Sequence, residues 1–305
     1  MDVGTLYRRT LETWAVRVND VGRQQWDLPT PCREWTVRDL VNHVVGEDRW
    51  TVPLLRGASI AEVGDTLEGD LLGEDPITAA LQAAAQAETE VAGRLPAGGT
   101  VQLSYGEEDL GEYLRQLAAD HLVHGWDLAA ATGGDTRLDP ALVAEVAGWF
   151  AEREELYRAA GAIGPPGVRT GDPQHDLLAG FGRPADWGAN HAGLQLFAAA
   201  FARGDVDAIM ALVTDDCVFE ATGPAPDGVR HEGAAAVRAV WEDLFATTRD
   251  AFFTEEESFV AGDRAVLRWR FTWTSPDGVP GHVRGVDVLR LREGRVAEKL
   301  SYVKG

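Results

Sequence analysis

Between residues 161 and 188 the hydrophobic rhythm of this chain changes, and with it the kind of structure each side can form. Upstream, apolar residues recur every three to four positions. Downstream, after three further helical segments, they alternate at every second position. The segment between carries GAIGPPGVRTGDP and GFGRPADWG around a short apolar helix, HDLLAGF, and its Gly and Pro mark a domain boundary. A chain of 305 residues is long enough for two domains, each burying its own core. The expected domains are residues 1–187, a helical bundle, and residues 190–305, an α+β domain.

In the first half, Tyr7, Leu11, Trp14 and Val18 fall on one helical face and predict a helix over residues 3–20. A loop follows, WDLPTPCREW, in which Pro29 and Pro31 forbid regular helix. Thr36 then reads as an N-cap with Asp39 as its acidic partner, opening a helix that carries Leu40, His43, Val44 and Glu47 on one side. Asp75-Pro76 starts a third helix, running to about Gly93. A fourth spans residues 110–132 and stops at Gly133-Gly134, and a fifth runs from Asp139-Pro140 to about Gly161. Residues 101–105 read as a short strand or an extended link.

In the second half, helices are expected at residues 191–203, 206–212 and 233–246. Four runs with strand character follow, at 252–260, 264–275, 281–293 and 295–303, joined by turns at AGD, SPDG and REGR. Helices followed by a meander of strands describe helices packed on one face of a curved sheet.

Composition excludes several functions. A net charge of -21 without a dense basic cluster argues against nucleic acid as a partner. No apolar run approaches the roughly 20 residues of a membrane span, and MDVGTLYRRTLETW lacks the basic-then-apolar order of a secretory signal. A cytoplasmic protein without membrane contact is expected. Cys32 and Cys217 lie far apart and read as ordinary buried thiols.

Chemistry concentrates in the fourth helix. Asp120 and His124 share a face at i, i+4, and Leu117, His121, His124 and Leu128 form a stripe that otherwise reads as core. Histidines on an apolar face are costly unless hydrogen-bonded or bound to metal. His43 supplies a third ligand from the second helix, and His121 is an equal alternative to His124. Two imidazoles and a carboxylate suit zinc, with Ni, Fe or Mn as alternatives, and leave a position open for water or a thiol. Trp26, Trp35 and Trp50 read as core or pocket wall.

WDLPTPCREWTVRDLVNHVVG (residues 26–46), DHLVHGWDLAAATG (120–133) and PQHDLLAGFGRPADW (173–187) resemble the DinB-like metal-binding bundle. The branch they resemble contains the N-terminal domain of mycothiol-dependent maleylpyruvate isomerase. The resemblance implies an all-α bundle whose divalent ion is held by His43, Asp120 and His124, with Asp120 standing where the family often has Glu. It further implies an isomerase or S-transferase using a low-molecular-weight thiol, mycothiol or another, on a small electrophilic molecule. His121 and Asp127 fall where groups behind the ligands orient a ring or move a proton.

Residues 190–305 resemble the SnoaL-like, ketosteroid-isomerase-like cones through FARGDVDAIMALVTDDCVFE, HEGAAAVRAVW and RGVDVLRLREGRVAEKLSYVK. That fold hosts isomerases, cyclases, hydrolases and non-catalytic binders. The resemblance implies a small-molecule pocket with Asp287 as its acidic group, Glu220 at the end of the first strand as a second candidate, and pairing of two copies through the open sheet face. His231, His282, Arg284, Trp269 and Tyr302 are expected at the pocket mouth, although alternation puts His282 and Arg284 on the face opposite Asp287.

Overall fold

A computed structural model describes residues 1–275 and 277–304. The chain divides into two compact units, Met1–Trp187 and Gly188–Gly305. No helix among the described residues is long and apolar enough to cross a membrane.

The first unit is built on four helices, α1 (Val3–Asn19), α2 (Val37–Leu55), α4 (Pro76–Arg94) and α5 (Leu110–Thr132), with a single-turn α3 (Ile60–Val63) after α2. Their ends follow local chemistry. Asp2 caps α1, Thr36 and Asp39 form a reciprocal capping box on α2, Asp75 and Pro76 open α4, and Asp109 caps α5. Gly133 closes α5 at φ 75°, a left-handed conformation that costs glycine nothing. Helix α1 packs on α5 and α2 on α4, around Trp14, Leu40, Val44 and Leu114. Ala80, Ala83, Ala84 and Ala87 line the buried side of α4.

The segment at 101–105 takes the strand form of its two readings: β1 (Thr100–Leu103) pairs with β2 (Gly106–Asp109) in a short antiparallel hairpin beside the helices. One expectation is corrected. The fifth helix does not reach Gly161: it divides into α6 (Pro140–Ala151) and α7 (Glu154–Ala159). At the break Arg153 leaves helical geometry and its guanidinium forks onto Glu112 of α5 at 2.5 and 2.9 Å. A tertiary ion pair there outweighs continuation of the helix. The helix α8 (Pro173–Gly180) packs against α6.

The second unit opens with α9 (Ala189–Arg203) and α10 (Val206–Ala211), and α11 (Ala234–Thr247) follows the strands β3 (Val213–Glu220) and β4 (Arg230–Glu232). Four long strands complete it: β5 (Arg249–Ala261), β6 (Arg264–Thr274), β7 (Pro280–Arg292) and β8 (Arg295–Val303). The sheet order is β4-β3-β8-β7-β6-β5, antiparallel except where β3 meets β8. In β6, Ala265, Leu267 and Trp269 are buried while Arg264, Arg268 and Arg270 are exposed, the alternation of a sheet with one covered face. Helix α9 lies against β5 and β8, and Phe197, Phe201, Ile209 and Trp241 fill the space beneath the helices. Glu293 and Gly294 both have positive φ, 52° and 76°, as a type I′ hairpin turn requires. Pro276, in the expected SPDG turn, lies outside the described residues.

Candidate metal centre

The capping box fixes where α2 starts and therefore which way His43 points. Its Nε2 stands 3.4 Å from Oδ2 of Asp120 on α5, and Nε2 of His124 stands 3.3 Å from Oδ1 of the same carboxylate. The three residues offer ligand atoms within 4.8 Å of one another. The two imidazoles meet edge to face at 5.1 Å, and the Trp35 ring lies 4.8 Å from His43. Oδ2 of Asp120 is buried and no hydrogen bond reaches it. A buried carboxylate oxygen without a donor, faced by imidazole nitrogens, is the arrangement a divalent ion completes. The donor set therefore fits the cation.

The other face of His124 is fixed as well. Its Nδ1 donates to Oδ2 of Asp127 at 2.9 Å, which orients Nε2 toward Asp120. Burial opposes the charge on Asp127, but Arg183 and His124 outweigh it and hold that carboxyl below its usual range. The same balance holds Asp120 well below the carboxylate range, where His124 and His43 overcome burial. Glu47, one turn beyond His43, behaves oppositely: burial and the Asp120 charge push its carboxyl up.

Cys32 is not an ordinary core thiol. It is half-buried beside this centre, donating to Oδ2 of Asp127 at 3.3 Å, accepting from Nη2 of Arg183 at 3.0 Å, and lying 3.9 Å from Nδ1 of His124. Cys32, His124 and Asp127 thus form a second group with ligand spacing. The two groups differ in charge balance. Nη2 of Arg183 reaches Asp127 at 3.0 Å, so a guanidinium already stands where a second cation would sit. Neither Arg183 nor the role of Cys32 was foreseeable, because their partners in the cluster lie between 56 and 151 residues away in sequence. Cys217 is buried in the core of the second unit.

His121 stays outside the cluster. It faces a different residue of α2, where its Nε2 donates to Asp48 at 3.0 Å. Trp35 is a wall of the cleft above His43, whereas Trp26 and Trp50 pack against the bundle core. That cleft has a volume of about 680 Å³ and is bordered by Cys32, Trp35, Val123, Ile163, Phe181 and Arg183.

In the second unit, Asp287 is buried on the covered face of β7, while His282 and Arg284 are exposed on the other. It stands in the wall of a cavity of about 30 Å³ with Phe201, Phe253 and Trp269. The cavity is not purely apolar: Nζ of Lys299 lies 2.9 Å from Oδ1 of Asp287 and donates to Ser301 at 2.7 Å, and Ser301 donates to Asp287 at 2.7 Å. Lys299 was missed because strand alternation assigns a side chain to a face without naming its partner. Of the five residues expected at the mouth, Trp269 alone lines this cavity; His231 stacks on Phe219, and Tyr302 is exposed. Glu220 is half-buried and faces Arg230 at 3.7 Å, away from the cavity lining.

A bundle whose inner helices converge a His–Asp–His cluster, followed by a helix-covered curved sheet, defines a DinB-like domain fused to a ketosteroid-isomerase-like one. The first unit carries a mycothiol maleylpyruvate isomerase N-terminal domain, matched over residues 7–129, and the second a SnoaL-like domain, matched over residues 194–299. Uncharacterized proteins MT0763 and Rv0738 of Mycobacterium tuberculosis are each 32% identical to it over 182 residues, 58% of this chain and 87% of theirs. Among solved structures, an NTF2-like protein of unknown function from Mesorhizobium loti is 41% identical, over 38% of this chain and 92% of that one, with a TM-score of 0.34. A protein with a ketosteroid isomerase-like fold from Catenulispora acidiphila, in complex with trimethylamine, is 17% identical over 36% of this chain and 83% of its own, with a TM-score of 0.33.

Proposed function

We propose that the first unit binds one divalent cation, zinc by the character of its donors, through His43, Asp120 and His124, and uses it with a low-molecular-weight thiol such as mycothiol on a small electrophilic molecule. The observation that carries this reading is the buried, donorless Oδ2 of Asp120 beneath two imidazoles at the edge of an open cleft. When bound, such a cation lowers the pKa of a coordinated thiol and makes a thiolate nucleophile available at neutral pH. The protein supplies the rest. Asp127 holds His124 in the tautomer that leaves Nε2 free, and Arg183 balances the Asp127 charge so that it does not compete for the ion. Trp35, Val123, Ile163 and Phe181 border the cleft with apolar surface that limits water beside the thiol. Isomerisation follows if the added thiol leaves again, S-transfer if it stays.

The test is elemental analysis of the purified full chain, with about one divalent ion per chain expected. His43→Ala and His124→Ala should each lose both the ion and thiol-dependent consumption of electrophiles. An ion-free wild-type chain defeats the proposal; a bound ion with no thiol effect on any electrophile leaves a cation-binding protein without catalysis. The Lys299–Asp287–Ser301 cluster favours a second reading, an isomerase, cyclase or hydrolase acting in the cone. Activity that survives chelation but is lost in Asp287→Asn would decide for it.

A further inference from the structure

Helices α2 and α5 are joined by two His–Asp pairs of opposite sense. In one, α2 gives the histidine and α5 the carboxylate: His43 with Asp120, 3.4 Å apart, side chains 31% and 28% exposed. In the other, α2 gives the carboxylate and α5 the histidine: Asp48 with His121 at 3.0 Å, side chains 0% and 1% exposed. Asp120 and His121 are chain neighbours, so whatever fixes one backbone position fixes the other within a Cα step of about 3.8 Å.

The buried pair is an expensive way to fill space. Oδ2 of Asp48, Nδ1 of His121 and the hydroxyl of Tyr7, whose ring meets His121 edge-on at 5.7 Å, have no hydrogen-bond partner. Well-packed apolar side chains in place of such a pair usually leave stability equal or higher. What apolar packing does not supply is direction. Sliding α2 along α5 by one residue moves it about 1.5 Å, enough to break a 3.0 Å hydrogen bond, whereas the hydrophobic contribution of apolar contacts has no preferred direction. The same slide takes His43 out of register with Asp120.

We propose that the Asp48–His121 hydrogen bond is a positioning device that locks the register of α2 against α5 and so sets the distance between His43 and the Asp120 carboxylate. The inference rests on the reading of His43, Asp120 and His124 as the cation site. Neither Asp48 nor His121 touches the ion in it.

The test uses the full chain, stripped of metal and titrated with Co²⁺ while the visible d–d absorption reports coordination. Asp48→Leu/His121→Leu should unfold at the wild-type temperature or above in the metal-free form, yet bind Co²⁺ about tenfold or more weakly, with altered d–d bands. Asp48→Asn, which still accepts from His121, should bind within about threefold of wild type, since the hydrogen bond and not the charge sets the register. The proposal is overturned if the folded double variant keeps wild-type affinity and spectrum, or if Asp48→Asn loses as much as the double variant. A double variant that does not fold also overturns it, because the pair then holds the bundle together and not its register. A wild-type chain that binds no Co²⁺ defeats the cation site itself, a failure read separately from one confined to the variants.

Discussion

Asp127 accepts from Nδ1 of His124 at 2.9 Å, and that one contact ties the candidate ligand to the Arg183 guanidinium and the Cys32 thiol behind it. The cluster is therefore two layers deep. The outer layer faces the cleft; the inner layer is closed by its own cation.

Asp127→Ala should act on both layers. Arg183, half-buried at the border of the cleft, would lose its carboxylate partner, a loss of about 1–3 kcal/mol in urea unfolding of the metal-free chain. Cation affinity should fall by about tenfold or more once the imidazole is no longer oriented. Unchanged stability would show that Arg183 finds another partner or reaches solvent.

Cys32→Ala separates the two overlapping groups. Because Arg183 already neutralises the inner one, the variant should retain one divalent ion per chain by elemental analysis. Loss of the ion would move the site to Cys32, His124 and Asp127.

The pH dependence has a definite sign. Burial disfavours a charged His124, but the Asp120 and Asp127 carboxylates and Cys32 raise its pKa well above the ordinary value. In the metal-free chain the imidazolium therefore stabilises the fold fully below its unfolded pKa of about 6.5, and that contribution is lost as pH rises through the higher folded value. Cation binding needs Nε2 unprotonated, so affinity should rise with pH across the same window. Calorimetry at pH 7 in two buffers of different ionisation enthalpy should detect proton release on binding; none released would contradict it.

In the second unit, Lys299→Met alone should cost about 3–5 kcal/mol by leaving Asp287 buried without a counter-charge. Lys299→Met with Asp287→Leu should recover most of that loss. Denaturant unfolding of the two variants checks the pair, and equal losses in both would mean that packing rather than charge is responsible.

Much of this molecule is written locally. The capping box at Thr36 and Asp39, the Asp75-Pro76 and Asp139-Pro140 starts, the Gly133 stop and the alternation in β6 all act through residues a few positions apart, so they are legible in the order of the amino acids. The i, i+4 spacing of Asp120 and His124 is legible for the same reason. Where the fifth helix breaks is not, because Glu112 lies 41 residues from the Arg153 it captures.

The two families, the helical and strand periods and the apolar faces are legible in the order of residues, because they depend on side-chain type and short-range spacing. Which polar groups meet was settled by packing. It turned His121 away to Asp48, brought Cys32 and Arg183 behind His124, and set Lys299 against Asp287. Partnership between distant groups depends on how helices and strands slide and twist against one another, and no local pattern records that.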